Sequence, residues 1–309
     1  MNREDRKESY DMRFLITGAG GQLGTEFLRV LQRATSKEPK DKTKDSTLYA
    51  LCSSLIALDK KSLDISDPNS VSEALSYYKP DVVINCAAYN FVDEAERHFD
   101  IAYKVNALGP KNLASVCGKD NILLVHYSTD YVFDGEKGDF YTEQDEPRPI
   151  NNYGKSKLEG ERFLREQTDN FLLFRVSWVF GEGKQNFFYK LKEWTVMQDI
   201  VRVVCDQISV PTYVEDIVKI TMHAIHEGER GVYHLTNSGY ASRYETARYF
   251  IERLGLANLV LPVRSEFFPS PAKRPYFSAM SNAKLSGILG FSIPDWKDGV
   301  DRFIKRGIV

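Results

Sequence analysis

The sequence predicts an α/β protein built on a doubly wound parallel sheet, with a smaller second lobe. Short apolar runs alternate with amphipathic helical patterns, which is the order of βαβ units. The runs are continuously apolar rather than alternating, as in strands that are buried on both faces. A glycine-rich turn joins the first run to the first helical pattern, and this arrangement is typical of a Rossmann domain.

Each element of the sheet follows from its own stretch of the chain. The apolar runs predict strands at residues 13–17, 54–59, 81–85, 122–128 and 171–178. Apolar residues at helical spacing predict helices after the glycine turn and at about 68–79, 93–117 and 153–167. Residues 33–47 are charged and lack this spacing, so we expect an inserted surface loop there. The polar residues 1–11 predict a mobile tail.

The pattern becomes less regular after about residue 180, where prolines and aromatic residues accumulate. The chain of 309 residues is long enough for two lobes. We expect the Rossmann domain to comprise residues 12–180 and about 208–236. A substrate-binding lobe is expected to comprise about 181–207 and 237–309.

Composition excludes several classes of function. The net charge is -2 and both signs are spread along the chain, which argues against a nucleic-acid-binding surface. The apolar runs are too short to span a membrane, and the first residues do not form a secretory signal. The four cysteines are widely spaced and predict free thiols in a cytoplasmic protein: Cys52, Cys86, Cys117 and Cys205.

The turn after the first strand has the spacing of a dinucleotide-binding loop. Gly18, Gly21 and Gly24 follow the pattern G-x-x-G-x-x-G. Glycine is needed where the chain turns sharply, where the backbone approaches a pyrophosphate, and where the helix packs close to the strand. The helix N-terminus then offers free N–H groups to the phosphates. We expect the intervening Gln22 and Leu23 to contact the cofactor as well.

The end of the second strand is expected to distinguish NADH from NADPH. Asp59 is suited to binding a ribose 2′-hydroxyl, whereas Lys60 and Lys61 are suited to binding a 2′-phosphate. The two signals conflict, so the sequence leaves both cofactors open.

A pair of residues in a predicted helix suggests catalysis. Tyr153 and Lys157 are four residues apart and therefore share one face of that helix. An ammonium group lowers the pKa of a nearby phenol, so Tyr153 is a candidate general acid with Lys157 tuning it. A chance pair of this kind is common, so the assignment needs support from other motifs.

Nine blocks in order provide that support. The chain resembles the dTDP-4-dehydrorhamnose reductase family, within the extended short-chain dehydrogenases/reductases. The resemblance covers residues 12 to 309 and rests on these blocks: TGAGGQLG, LDISD, NCAAYNFVDEAE, VNALGPKNLA, YSTDYVFDG, YGKSKLEGE, RVSWVFG, DQISVPTYVEDI and AKRPYFSAM. It implies NAD(P)H-dependent reduction of the C4 ketone of dTDP-4-dehydro-L-rhamnose, with Thr129, Tyr153 and Lys157 as the catalytic triad.

The resemblance also implies binding residues. For the cofactor they are Asp64, Ile65, Ala87, Ala88, Tyr89 and Asn106, with Asp64 and Ile65 at the adenine. For the sugar they are Asn90, Val92, Asp130, Tyr131 and Trp178, the last by stacking on the pyranose ring. For the nucleotide diphosphate they are Asn186 and Arg274.

Some members of the family bind Mg²⁺ at a dimer contact. Glu26, Glu215 and Asp216 lie near the matching positions. We therefore carry a homodimer and a Mg²⁺ site as expectations, with paired carboxylates at a solvated helix start as the alternative for these residues.

Two other functions stay open at this point. Related enzymes reduce, epimerise or dehydrate other nucleotide sugars. In this chain the STD motif (residues 128–130) is followed by Tyr131 rather than by an acidic residue, which argues against a dehydratase. A non-catalytic regulatory subunit of methionine adenosyltransferase would share the fold. The presence of all three triad residues argues for an enzyme.

Overall fold

A six-stranded parallel sheet forms the centre of the computed structural model, which describes residues 12–35, 52–183 and 186–307. Its strands are β1 (Met12–Thr17), β2 (Cys52–Leu58), β3 (Val82–Asn85), β4 (Leu123–Thr129), β5 (Phe171–Val176) and β10 (Gly231–His234). They lie in the order β10-β5-β4-β3-β1-β2, and every neighbouring pair is parallel. The order changes direction between β1 and β3, so the carboxyl ends of these two strands flank the crevice where doubly wound sheets bind ligands.

Helices cover both faces of this sheet. They are α1 (Gln22–Thr35), α2 (Pro68–Tyr78), α3 (Val92–Arg97), α4 (Phe99–Tyr103), α5 (Gly109–Lys119), α6 (Asn152–Gln167) and α8 (Val214–His226). One apolar cluster joins α1 and α8 to one face of the sheet. A second cluster joins α2, α5 and α6 to the other face. The predicted doubly wound α/β fold and its five strands are confirmed.

One predicted helix is wrong in its continuity. Residues 93–117 were expected to form a single helix, but α3, α4 and α5 are separate, and Lys104–Leu108 forms a π-helical turn between α4 and α5. Helices interrupted by a π turn carry one widened hydrogen-bond ring, and such turns are frequent at functional sites. Apolar spacing alone does not reveal the interruption, because the apolar positions continue through it.

Most of the remaining elements contribute to a separate apolar cluster that includes Phe180, Phe188, Phe250 and Phe303, whereas Leu285 packs on the cluster of the central sheet. They are β6 (Val179–Phe180), α7 (Phe187–Met197), β7 (Ile200–Val204), β8 (Ile208–Ser209), β9 (Thr212–Tyr213), β11 (Ala241–Ser242), α9 (Arg243–Arg253), β12 (Leu259–Val263), α10 (Ala283–Leu289) and α11 (Trp296–Lys305). Three two-stranded sheets pair β11 with β8, β12 with β7, and β6 with β9. The division of the chain into two lobes with the stated boundaries stays a prediction.

Three smaller expectations concern the tail and the insert, the cysteines, and the absence of a membrane span. The predicted tail (1–11) and most of the predicted insert lie outside the described residues, although residues 33–35 form the end of α1. The four cysteines are free, as predicted, with Cys52 and Cys117 fully buried. No helix within 12–35, 52–183 and 186–307 is both long and apolar enough to cross a membrane.

Candidate active site

The glycine turn after β1 forms a cradle that side chains would fill. Gly18 has a φ of 62°, and a Cβ there would lie 2.6 Å from the backbone nitrogen of Ala87. A Cβ on Gly24 would lie 2.6 Å from the carbonyl oxygen of Gly18. Only glycine fits both positions, and α1 begins directly after the turn, at Gln22. The turn therefore exposes backbone N–H groups at a helix N-terminus, as a pyrophosphate requires.

The carboxylate of Asp59 organises the end of β2. Its Oδ1 accepts hydrogen bonds from the backbone N–H groups of Lys61 and Ser62, and from the Ser62 hydroxyl. These bonds from Ser62 hold the pKa of Asp59 below its usual value. Lys60 and Lys61 are exposed beside it. The structure thus keeps all three candidates for ribose or phosphate recognition at the same strand end.

The residues expected to contact the adenine, Asp64 and Ile65, follow Asp59 shortly afterwards in the chain. Asp64 Oδ1 accepts hydrogen bonds from the backbone N–H and the hydroxyl of Ser66, and the hydroxyl bond is the main cause that lowers the pKa of Asp64. Ile65 is buried, and its side chain packs so closely on Gly109 that a Cβ there would lie 2.5 Å from it. Ile65 therefore contributes to packing against α5 as well as to the rim of the cleft.

The segment after β3 forms a wall beside the glycine turn. Asn85 Oδ1 accepts the Ala87 N–H, and Ala88 follows with a half-buried small side chain. Asn106, in the π-helical turn, accepts the Tyr89 N–H through Oδ1 at 2.8 Å. Its Nδ2 donates to the Tyr89 carbonyl and to the Ser156 hydroxyl, both at 3.0 Å. One buried amide therefore joins the wall to α6.

The structure brings the three predicted catalytic residues to the carboxyl end of the sheet. Thr129 ends β4, and its hydroxyl lies near the Tyr153 phenol, where it acts to lower the pKa of that phenol. Tyr153 lies in the first turn of α6, and its hydroxyl also donates to Asn90 Oδ1 at 3.4 Å. Lys157 is buried one turn later, and its Nζ donates to the Tyr127 carbonyl at 2.5 Å.

The expected direction of the pKa shift of Tyr153 was wrong. Burial raises the pKa of Tyr153 above its usual value, and the nearby Thr129 hydroxyl only partly opposes this. Burial also lowers the pKa of Lys157 to about 8, with the Glu161 charge opposing the shift. Desolvation outweighs the attraction between ammonium and phenolate because both groups lie in the protein interior. Tyr153 is therefore neutral and holds the proton that a general acid gives up.

Asp130 and Tyr131 follow Thr129 in a short 3-10 turn. The Asp130 carboxylate is buried and accepts hydrogen bonds from the hydroxyls of Ser209 and Ser278 at 2.8 and 2.6 Å. Burial raises the pKa of Asp130 despite these bonds. Tyr131 packs edge-on against the Tyr153 ring, with ring centroids 6.0 Å apart. Tyr131 thus packs against the candidate general acid, and Asp130 Oδ1 accepts a hydrogen bond from the Thr129 hydroxyl at 3.2 Å.

Trp178 and Arg243 stack beside this group. Trp178 lies in the chain between β5 and β6 and has a φ of 39°, which is uncommon for a bulky residue. The Arg243 guanidinium lies 4.1 Å from the centroid of the Trp178 ring and near the Tyr131 hydroxyl, which acts to raise the pKa of the guanidinium. The sequence analysis missed Arg243. Its position at the start of a helix far along the chain carries no motif, so only the fold shows that it reaches the site.

A cavity of about 1170 Å³ opens next to these residues. This volume suits a ligand larger than a simple sugar. Its lining includes aromatic, basic and acidic side chains, among them Phe187, Trp194, Phe268, Tyr276, Lys190, Arg243, Lys273, Arg274, Asp134, Glu136 and Glu266. Arg274 is held by the Asp93 carboxylate at 2.7 Å. Val92 begins the helix that carries Asp93, so this ion pair brings one expected sugar residue close to one expected diphosphate residue.

Asn186 serves a structural purpose in this region. It caps α7 by accepting the Tyr189 N–H through Oδ1, and its Nδ2 donates to the carbonyls of Gly181 and Gly183. The side chain is buried and both amide hydrogens are used. This arrangement supplies no donor for the diphosphate expected at this position.

The expected Mg²⁺ ligands are neutralised by arginines instead. Glu26 pairs with Arg29 and Arg306, and Glu215 is within 3.5 Å of the same two guanidinium groups. Asp216 is buried and pairs separately with Arg302 at 2.6 Å. Among the described residues, no group of three or more His, Cys, Asp or Glu side chains is arranged to hold a metal ion. The Mg²⁺ site is not supported, and the homodimer stays a prediction.

Comparison with known proteins agrees with this geometry. A family model described as "RmlD substrate binding domain" matches residues 12–308. A dTDP-4-dehydrorhamnose reductase of Aggregatibacter actinomycetemcomitans is 36% identical, with 92% of this chain and 96% of that protein covered. The chain belongs to the dTDP-4-dehydrorhamnose reductase family.

Two further relatives extend the comparison. A spore coat polysaccharide biosynthesis protein of Bacillus subtilis is 34% identical, with 94% of this chain and 96% of that protein covered. A crystal structure of a dTDP-4-dehydrorhamnose reductase from Bacillus anthracis in complex with NADP is 34% identical, with 96% of this chain and 99% of that chain covered, at a TM-score of 0.85. The fold and the family are therefore shared over nearly the whole chain.

Proposed function

We propose that this protein is an NADPH-dependent oxidoreductase that reduces the C4 ketone of dTDP-4-dehydro-L-rhamnose and so forms dTDP-L-rhamnose. The observation that carries the proposal is the group of Thr129, Tyr153 and Lys157 at the carboxyl end of the sheet, beside a glycine cradle. Relatives that bear the name of this reductase support the choice of substrate.

Thr129, Tyr153 and Lys157 each have a separate role in the proposed reaction. The hydride comes from the nicotinamide cofactor when it is bound. Tyr153, neutral in its buried position, donates its proton to the carbonyl oxygen as that oxygen becomes an alkoxide. The Thr129 hydroxyl donates a hydrogen bond to the same oxygen and stabilises its growing charge. Lys157 is charged below pH of about 8 and favours loss of the phenol proton.

The chain holds the groups that the cofactor needs. The turn with Gly18, Gly21 and Gly24 is shaped for the pyrophosphate, and Ala87 leaves room at its side. Lys157 lies within reach of a nicotinamide ribose in this arrangement. For the adenosine ribose we propose the 2′-phosphate of NADPH, because exposed lysines follow Asp59 and because the relative from Bacillus anthracis is a complex with NADP. A comparison of kcat/KM for NADPH and NADH tests this preference.

The test of the reaction is a cofactor-oxidation assay with dTDP-4-dehydro-L-rhamnose generated in place. We expect Tyr153→Phe to fold and to bind the cofactor but to lose about 10²- to 10⁴-fold in kcat, because it removes the general acid. Tyr77→Phe is the matched control, since Tyr77 is 80% exposed on α2. Wild-type turnover by Tyr153→Phe would contradict the assignment of the acid.

The sugar itself is tested in the same assay. The relative named for spore coat polysaccharide synthesis favours a second candidate, the 4-keto group of another nucleotide sugar. Turnover of such a sugar with no turnover of dTDP-4-dehydro-L-rhamnose would move the proposal to that substrate. Binding of cofactor without turnover of any 4-keto sugar would favour the non-catalytic subunit.

A further inference from the structure

The face of β4 that lies under α6 carries polar side chains at its carboxyl end. Along β4, Val125 and Tyr127 belong to the apolar cluster on the α1 and α8 face, whereas Leu124 belongs to the cluster on the α5 and α6 face. Successive side chains of a strand alternate between faces. His126 and Ser128 therefore point to the same side as Leu124, beneath the helix that carries Lys157.

The protonation of His126 is fixed by its neighbour. Asn85 Oδ1 accepts hydrogen bonds from the Ala87 N–H and the Thr17 hydroxyl, so its other side-chain atom is the NH₂ group. That group donates to His126 Nδ1 at 3.0 Å. His126 is 1% exposed, and burial together with the charge of Lys157 keeps its pKa well below the usual value. A neutral ring with Nδ1 as acceptor carries its hydrogen on Nε2.

Two buried polar atoms on this face have no hydrogen-bond partner among the described residues. They are His126 Nε2, which is a donor, and Ser128 Oγ. Buried polar atoms are almost always paired, and each exception needs a physical reason. Ordered water is the commonest partner for such atoms in protein interiors.

Lys157 Nζ is the third polar group near His126 Nε2 and Ser128 Oγ. Its Nζ bonds the Tyr127 carbonyl, which lies in the chain between His126 and Ser128. An ammonium group has three hydrogens, and this bond uses one of them. His126 Nε2 and Lys157 Nζ are both donors, so they cannot bond each other. A group that accepts from both and donates to a hydroxyl oxygen joins all three, and water has this capacity.

We propose that His126 Nε2 and Ser128 Oγ hold one buried water molecule that accepts a hydrogen bond from Lys157. His126 and Ser128 are then positioning residues, which act on the reaction through the lysine. The Tyr127 carbonyl and the water then accept two of the three ammonium hydrogens, and the third would be available to a bound cofactor. The role in catalysis rests on the proposed function of Lys157, whereas the water site itself does not.

The water favours the charged form of Lys157, because it adds an acceptor for an N–H hydrogen. Other groups on the surrounding elements act on the same charge. Glu161 on α6 raises the pKa of Lys157, and Arg175 on β5 is paired with Glu161 at 2.7 Å. His126 on β4 is neutral and the Tyr153 phenol on α6 is protonated, so neither adds a charge. Loss of the water therefore lowers the pKa of the lysine.

The kinetic test uses two substitutions at one position. Ser128→Ala removes one partner of the water, and Ser128→Val also fills the space beside it. We expect the alkaline limb of the kcat profile of Ser128→Val to move to lower pH by about 1–2 pH units, since a hydrogen bond to a charged group is lost. Ser128→Ala is expected to move the limb by less in the same direction. An unchanged limb in Ser128→Val, with the fold intact by circular dichroism, overturns the positioning role.

The matched control is Thr221 of α8, which contacts Tyr127 on the opposite face of β4. Thr221→Val removes a buried hydroxyl that hydrogen-bonds to Tyr127 at 2.8 Å, so we expect lower thermal stability with the limb in place. If Thr221→Val moves the limb as far as Ser128→Val does, the effect reports loosening of β4 and the proposal fails.

A crystal structure of the wild-type chain, at a resolution that shows ordered water, tests the site without any turnover. We expect one water within about 3.2 Å of His126 Nε2, Ser128 Oγ and Lys157 Nζ. Absence of density at this point overturns the proposal. A water at this point in a protein that reduces no 4-keto sugar supports the site and counts only against the proposed function.

Discussion

Gly160 permits the close approach of the catalytic helix to the π-helical turn. A Cβ at this position would lie 2.1 Å from the Asn106 carbonyl oxygen and 3.3 Å from Pro110 Cγ. Both neighbours are confined, since Asn106 is buried and Pro110 lies in the first turn of α5. In Gly160→Ala the helix must therefore move away from the turn by roughly 1 Å to reach van der Waals distance.

This displacement has an expected size in stability and in rate. Overpacking of a confined site costs about 1–3 kcal/mol, and the better helix propensity of alanine offsets about 1 kcal/mol of this. We expect the free energy of unfolding to fall by up to about 2 kcal/mol, measured by urea denaturation. Because α6 carries Tyr153 and Lys157, a shift of this size is also expected to reduce kcat by about 10- to 100-fold.

Gly287→Ala is the matched control for this substitution. Gly287 lies within α10, and a Cβ there would meet nothing within 4 Å. This variant is expected to gain about 0.4–1 kcal/mol in stability and to keep its activity. If Gly160→Ala is as stable and as active as Gly287→Ala, the contact with Asn106 does not constrain the helix and the reasoning is refuted.

Two further predictions concern charges around the same helix. Because burial lowers the pKa of Lys157 to about 8, kcat is expected to fall as pH rises through about 8, and a kcat profile that stays flat to pH of about 10 would show that this charge is not used. Glu161→Gln leaves the Arg175 guanidinium buried beside an uncharged amide, so we expect a loss of about 3–5 kcal/mol in the free energy of unfolding. Glu159→Gln, at the exposed pair with Arg162, is the control and is expected to change stability by less than about 1 kcal/mol.

The sequence predicted the parts of this protein that depend on local patterns. Buried parallel strands are continuous apolar runs, so β1 to β5 were found within two residues of their observed ends. The glycine turn and the Tyr153–Lys157 pair depend on short spacings that can be read directly from the sequence. The motif blocks then placed Thr129 beside them, which no local pattern indicates.

The parts that the sequence analysis missed depend on long-range packing. Arg243 reaches Tyr131 and Trp178 from the start of α9, about a hundred residues further along the chain than Tyr131. The direction of the pKa shift of Tyr153 depends on burial, which spacing does not report. Asn186 has the look of a polar ligand in a motif, yet the fold uses it to cap a helix. For Arg243 and Tyr153 the deciding feature is packing between segments far apart in sequence, whereas for Asn186 it is a local cap through Tyr189, three residues further along.

The hydrogen bonds of Asn106 bear on any attempt to redesign the specificity of this enzyme. Its single amide fixes the backbone of Tyr89 at both the N–H and the carbonyl, and it also bonds Ser156 on the catalytic helix. A loop grafted from a relative in place of residues 89–92 therefore brings its sugar-binding side chains into register only if its backbone meets the same amide. Exchange of this loop between members of the family thus requires that the loop, the π-helical turn and α6 be transferred together.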